Sequence, residues 1–245
     1  MTGFAIDRRD LLAAGAVLGA GAALAAGASP ALAQGTAAAG TAAPVRAAYT
    51  PQPVPLPFDP KTIPGLSEKL LTSHHDNNYA GAVKRIAAIG GQLAALDPAT
   101  APGFLLNGLK REELIATNSM ILHELYFANL GALGGASVKL AAMIERDFGS
   151  MARWQAEFSG LGKALGGGSG WVVLQYNHRD KRLVNQWAND HTMSLAGATP
   201  LLVLDMFEHA YAIDYGSKAA AYVDAVMTVI NWNEVSGRFA WAAEE

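Results

Sequence analysis

Asp205 and His209 stand four residues apart in the stretch Leu204-Asp205-Met206-Phe207-Glu208-His209-Ala210-Tyr211, directly after the apolar run Pro200 to Leu204. That run is short and aliphatic, as a buried strand is, so the pair falls where a strand gives way to the next element. If the chain turns helical there, side chains at i and i+4 converge on one point. A carboxylate oxygen beside an imidazole nitrogen is the donor mix that suits iron, manganese or zinc. Taken alone, the pair is better read as an aspartate capping a helix and a histidine satisfied in the core. The other histidines shift the balance. The chain carries His74, His75, His123, His178, His191 and His209 and no cysteine, so a metal site here has imidazole and carboxylate to work with and no thiolate.

The elements that must position these groups are readable from periodicity. Leu66, Leu70, Leu71, Tyr79, Val83 and Ile86 recur at three- and four-residue spacing, which predicts a helix with His74 on or beside its apolar stripe. Gly90-Gly91 is expected to break it, and Asp97-Pro98 to Pro102-Gly103 reads as a loop. A second helix is predicted from about Glu112 to Leu130, with Ile115, Ser119, Leu122, Tyr126 and Asn129 on one side and His123 beside them. Helices joined by a short connection pack antiparallel, which brings His74 and His123 into one interface.

Gly131 to Gly135 marks a boundary between lobes. Beyond it, Val138 to Phe148 and Met151 to Leu165 read as helices. The glycine-rich Gly166 to Gly170 lacks the following Lys-Ser/Thr of a phosphate cradle, so it is a turn into a strand, Trp171 to Tyr176. A polar hairpin, Asn177 to Lys181, returns the chain as a strand over Arg182 to Ala188; Pro200 to Leu204 is the third strand, and Tyr222 to Phe239 is helical. The expected fold is α+β: an N-terminal antiparallel helical hairpin over 58–133, then a metal-binding lobe over 134–245 with a three-stranded antiparallel sheet and helices. Three histidines, one from each hairpin helix and one from the lobe, would join Asp205 in a four-ligand site. A trivalent ion held there would acidify a bound water.

The first residues read as an address. Arg8-Arg9 precedes an Ala/Gly/Leu run to Ala28, and Ala31-Leu32-Ala33 closes it as an Ala-x-Ala cleavage signal, which predicts a twin-arginine-type signal peptide over 1–33 and a periplasmic protein with no membrane anchor after cleavage. Residues 34–57, with Pro51, Pro53, Pro55 and Pro57 alternating, form an Ala/Pro-rich tether that at most docks on the body. A net charge of −3 gives no basic surface for nucleic acid.

The combination of motifs resembles the iron/manganese superoxide dismutase family. The matching stretches are His74-His75, Leu122-His123-Glu124-Leu125-Tyr126-Phe127-Ala128-Asn129-Leu130, Gly168-Ser169-Gly170-Trp171, Asp205-Met206-Phe207-Glu208-His209-Ala210-Tyr211, and Tyr222 with Val229-Ile230-Asn231-Trp232-Asn233-Glu234-Val235. Their order and spacing hold from about Leu56 to Phe239. The resemblance implies one iron or manganese ion per subunit on His74, His123, Asp205 and His209, cycling between +3 and +2 as superoxide is converted to dioxygen and hydrogen peroxide. It implies that His191, in Ala188-Asn189-Asp190-His191-Thr192, hydrogen-bonds the metal-bound solvent, with its alignment open by about one position. It implies a homodimer in which Glu208 reaches the ligand histidine of the other subunit, and a wall of Trp171 and Phe207, the latter standing where the family usually has Trp. Three departures accompany these matches: Asn78, Ala82 and Ala212 occupy the positions of the family's gateway His and two Tyr. A metal-binding or structural homologue with little dismutase activity is therefore the second reading, and a metal-assisted hydrolase a third, which lacks a spare carboxylate placed as general base.

Overall fold

The computed structural model describes residues 47–131 and 134–244. The expected signal peptide and the tether as far as residue 46 lie outside them. The rest of the tether runs over the hairpin: the Val54 N–H donates to Tyr79 Oη at 2.8 Å, and the Val54 carbonyl meets His75 Nε2 at 2.8 Å.

Helix α1 (Glu68–Ser73) is started by Ser67, whose hydroxyl accepts from the Leu70 N–H, and it buries Leu70 and Leu71. The chain then passes through a π-turn, His74–Tyr79, whose wider i to i+5 winding changes the face that successive residues present, so that both His74 and Tyr79 are buried. Helix α2 (Ala80–Ala95) follows, burying Ala82, Val83, Ile86, Ile89, Gly90 and Leu93. Gly90-Gly91 does not break it. A Cβ on Gly90 would lie 2.6 Å from the Tyr49 carbonyl oxygen, so this glycine admits the N-terminal segment against the helix.

Helix α3 (Gly103–Ala128) starts nine residues earlier than the expected Glu112, because its opening turn exposes Phe104 and Leu105 and shows no apolar stripe there. Its later turns bury Ala116, Ser119, Met120, His123, Tyr126 and Phe127 against α2 and the sheet.

Helices α4 (Val138–Phe148) and α5 (Met151–Ala164) are capped by Ser137 and Ser150, and Gly149 in the left-handed region ends α4. Strands β1 (Trp171–Asn177), β2 (Arg182–Ala188) and β3 (Ala198–Asp205) form an antiparallel sheet in the order β2-β1-β3. The register sets Trp171 opposite Ala188 on one side and Asp205 on the other. Gly170, at φ 140°, opens β1 where a Cβ would sit 2.1 Å from the Ala188 carbonyl oxygen. After Asp205 come a 3-10 turn (Glu208–Ala210), α6 (Ala212–Tyr215), α7 (Ala219–Thr228) and α8 (Trp232–Glu244). This is an α+β fold with the expected hairpin and three-stranded antiparallel sheet. No helix among the described residues is long and apolar enough to cross a membrane.

The expected continuous helix over 222–239 is divided at Val229–Asn231, because those residues pair with the end of α3. Leu130 and Ile230 form an antiparallel bridge, the Asn231 N–H donates to the Asn129 carbonyl at 2.7 Å, and the Gly131 N–H donates to the Val229 carbonyl at 2.8 Å. The buried Asn129 side chain completes the joint: Oδ1 accepts from the Val203 N–H at 3.0 Å, and Nδ2 donates to the Leu201 carbonyl at 3.4 Å. It therefore fixes the end of α3, which carries His123, against β3, which carries Asp205.

Asn129→Ala leaves the Val203 N–H buried without its acceptor. A loss of about 1–3 kcal/mol is expected in urea unfolding of the metal-free protein, whereas no change in the midpoint would contradict this role.

Candidate metal centre

Four donor atoms from four elements meet in the interior. His74 stands where α1 passes into the π-turn, His123 lies on α3, Asp205 ends β3, and His209 is in the 3-10 turn. Asp205 Oδ1 accepts the Phe207 N–H at 2.9 Å, which fixes the turn after the strand and leaves Oδ2 directed at the imidazoles. Oδ2 lies 3.1 Å from His74 Nε2, 3.3 Å from His209 Nε2 and 3.5 Å from His123 Nε2. The four donor atoms lie within 4.8 Å of one another. His74, His123 and Asp205 are buried and His209 is half-buried. The Asp205 carbonyl accepts from Tyr222 Oη at 2.8 Å, and the Tyr222 oxygen, its one proton so engaged, accepts from Tyr126 Oη at 3.1 Å.

The protonation pattern decides what this cluster can hold. His123 Nδ1 donates to the Ser119 carbonyl four residues earlier at 2.6 Å, so in the neutral ring Nε2 presents a lone pair to the others. Burial pushes the His123 imidazole down to about 3, and it is neutral near pH 7. Burial likewise lowers His74. Burial opposes the charge on Asp205, yet the charge and hydrogen bonding of His209, then of His74, outweigh it and hold the carboxyl below the usual carboxylate range. A carboxylate oxygen and an imidazole lone pair thus face each other at 3.5 Å with no proton of His123 between them. That contact repels until a cation lies among the four atoms. Three imidazole nitrogens and one carboxylate fit a divalent or trivalent transition metal.

His191 and Trp171 lie against this cluster. Trp171 Nε1–H donates to His191 Nδ1 at 2.9 Å, which puts the proton of the neutral His191 ring on Nε2. Asn118 Nδ2 donates to the His191 carbonyl at 2.6 Å, and the His191 ring centre is 6.4 Å from that of His123. Phe207 stacks between His191 at 4.7 Å and His209 at 5.4 Å, while Trp171 meets His123 edge-on at 5.2 Å. Asp190, one position earlier, is turned instead to the Thr192 N–H and hydroxyl. Burial lowers the His191 imidazole too. Glu208 is exposed and outside the cluster of donor atoms.

Asn78 is half-buried, Ala82 buried and Ala212 exposed. His75 and Tyr79 point to the N-terminal segment: Tyr79 Oη donates to Glu124 Oε1 at 2.9 Å while accepting from Val54, and burial raises its hydroxyl to about 12, so it stays protonated. Two positioning groups have no place in the sequence reading. The Ser119 carbonyl was signalled by its spacing four residues before His123 on a helix, whereas nothing local in the sequence points to Asn118.

Comparison with known proteins gives a consistent result. Residues 136–238 match the model of the iron/manganese superoxide dismutases, C-terminal domain. The chain is 64% identical over 191 residues to "Superoxide dismutase [Fe]" of Cupriavidus metallidurans, covering 78% of this chain and 97% of that protein. It is 35% identical over 194 residues to "Superoxide dismutase [Mn] 1" of Halobacterium salinarum, covering 78% and 95%. It is 34% identical over 187 residues to "Superoxide dismutase [Mn]" of Mycolicibacterium smegmatis, covering 74% and 88%.

The buried neutral imidazoles set a pH dependence. An unfolded histidine takes up a proton below its ordinary value of about 6.5, but folded His123 resists it down to about 3, so the unfolded state binds more protons throughout that window. Stability of the metal-free protein is therefore complete above that window and lost as pH falls through it, by up to about 1.4 kcal/mol per pH unit for each histidine so excluded. Asp205 is held below the usual carboxylate range and does not offset this between pH 7 and 5. Urea midpoints measured at pH 7 and pH 5 should fall with acid, with a smaller fall in His123→Gln; equal slopes in the two proteins would exclude His123 as a source.

Proposed function

Because the chain belongs to the iron/manganese superoxide dismutase family, we propose that it is a superoxide dismutase that holds one iron or manganese ion per subunit on His74, His123, Asp205 and His209. The observation that carries this reading is the convergence of three imidazole Nε2 atoms on Asp205 Oδ2 in the interior, with the His191 ring beside them. The bound ion supplies one-electron redox chemistry, by which two superoxide anions and two protons become dioxygen and hydrogen peroxide.

The protein's own residues supply the setting. One carboxylate among neutral imidazoles leaves a trivalent or divalent centre with net positive charge, which attracts an anion into a buried site. Trp171 holds His191 in the tautomer whose Nε2 bears the proton, so His191 donates a hydrogen bond to solvent or to a substrate oxygen and is the residue here suited to hand on a proton. Phe207 and Trp171 wall the centre with apolar surface and limit access of water. Alanine at 82 and 212 supplies no hydroxyl, and Tyr79 is engaged by Glu124 and Val54, so proton delivery in this chain rests more on His191 than on a tyrosine gate. Those same replacements favour the second reading, a metal-binding homologue with little turnover.

Exposure of Glu208 on the turn that holds His209 supports a two-fold homodimer in which Glu208 reaches the partner's histidine. Residues 1–33 support work in the periplasm, with the folded protein exported by the twin-arginine route.

The test is superoxide dismutation by the protein with bound metal measured on the same sample. Turnover should track iron or manganese content. His123→Ala should bind less metal and lose turnover with it, whereas His191→Ala should keep its metal and lose turnover by about 10–100-fold. Stoichiometric iron or manganese in the wild-type chain without turnover would overturn the dismutase reading in favour of the binding one.

A further inference from the structure

The segment from Asn189 to Met193 presents His191 to the metal centre, with its ring stacked on Phe207 and several conventional hydrogen bonds holding it. Ser169 Oγ donates to the Asn189 carbonyl at 2.9 Å, Asn118 holds the His191 carbonyl, Trp171 holds the His191 ring, and Asp190 accepts from the Thr192 N–H at 2.7 Å. The segment is closed on itself by a different contact: the Asn189 N–H donates to the thioether sulfur of Met193 at 3.4 Å. Met193 is 38% exposed. Among the described residues, Met120 and Met206 are buried and Met143, Met151 and Met227 are half-buried, so Met193 is the methionine most open to a solute. It also lines a cleft of about 80 Å³ whose walls include Trp171, Asn118 and Ala188, and Trp171 contacts both His123 and His191.

We propose that Met193 is a peroxide-oxidised modification site, and that its sulfoxide loosens the segment that positions His191. The inference rests on the dismutase reading only for its source of oxidant, the hydrogen peroxide that reading has the protein produce. In the step, the sulfur lone pair attacks one oxygen of hydrogen peroxide and the O–O bond breaks. A sulfur–oxygen bond forms, the other oxygen leaves as water after a proton shift, and the sulfur is oxidised by two electrons as the peroxide is reduced by two. The product is larger, polar and chiral where a flexible apolar side chain had been, and the Asn189 N–H no longer meets the same acceptor. Met193 then acts as a reversible brake on the centre that makes the oxidant, released by the methionine sulfoxide reductases that repair each epimer.

The experiment adds hydrogen peroxide to the metal-loaded protein, stops it with catalase at intervals and maps oxidation by peptide mass. Hydrogen exchange is followed on the peptide spanning Asn189 to Met193. Met193 should gain one oxygen ahead of Met143, Met151 and Met227, and the Asn189 amide should then exchange faster. Dismutation should fall at least twofold and recover after treatment with the reductase pair, and Met193→Leu should resist the loss. Oxidation of Met193 no faster than the half-buried methionines would overturn the proposal, as would unchanged exchange at Asn189 or an equal loss of activity in Met193→Leu. Absence of dismutation in the untreated protein would defeat the dismutase reading instead, while peptide masses and exchange rates still decide the modification.

Discussion

One buried carboxylate oxygen organises this molecule. Asp205 Oδ2 lies within 3.5 Å of three imidazole nitrogens, at the inner end of β3. Placing an anion in the interior is unfavourable unless hydrogen bonds or a cation compensate it. Here the compensation comes from the histidines and, on the reading argued above, from an ion that joins them. The tautomer of His123, fixed by the Ser119 carbonyl, makes the cluster a set of donors to a metal and not a closed hydrogen-bond network.

The rest of the fold serves to keep that oxygen in register with groups far away in sequence. The sheet sets Trp171 level with Asp205, and Gly170 lets β1 begin there because no side chain would fit against Ala188. Asn129 binds the end of the long helix carrying His123 to β3, and the bridge from Leu130 to Ile230 ties both to the C-terminal helices. The π-turn brings His74 to the interior while keeping Tyr79 buried on the side of the N-terminal segment. A change at Asn129, at Gly170 or at the Leu130–Ile230 bridge acts on the centre through the position of α3, β1 and β3.

Much of this was legible in the sequence because it depends on local signals. Spacing marked Asp205 and His209 as a pair, hairpin periodicity predicted that His74 and His123 would share an interface, and the family resemblance joined the four into one donor set. Strand boundaries followed from turn residues at Asn177 to Lys181. What local patterns missed has a common cause, which is tertiary contact. Gly90, a helix breaker by local pattern, lies inside α2 because the Tyr49 backbone packs against it. The start of α3 carries exposed Phe104 and Leu105 and so lacks a stripe. The interruption between α7 and α8 reflects pairing with residues a hundred positions earlier. The placement of His191 in place of Asp190 beside the cluster depends on the Trp171 and Asn118 side chains, which one-position ambiguity in a loop cannot resolve.

X-ray absorption at the metal edge of the protein loaded with iron or manganese tests the account most directly. Three imidazole nitrogens and carboxylate or solvent oxygen are expected around the ion, with two imidazoles remaining in any His123→Ala sample that retains metal. A shell dominated by oxygen, or one unchanged by loss of His123, would contradict it.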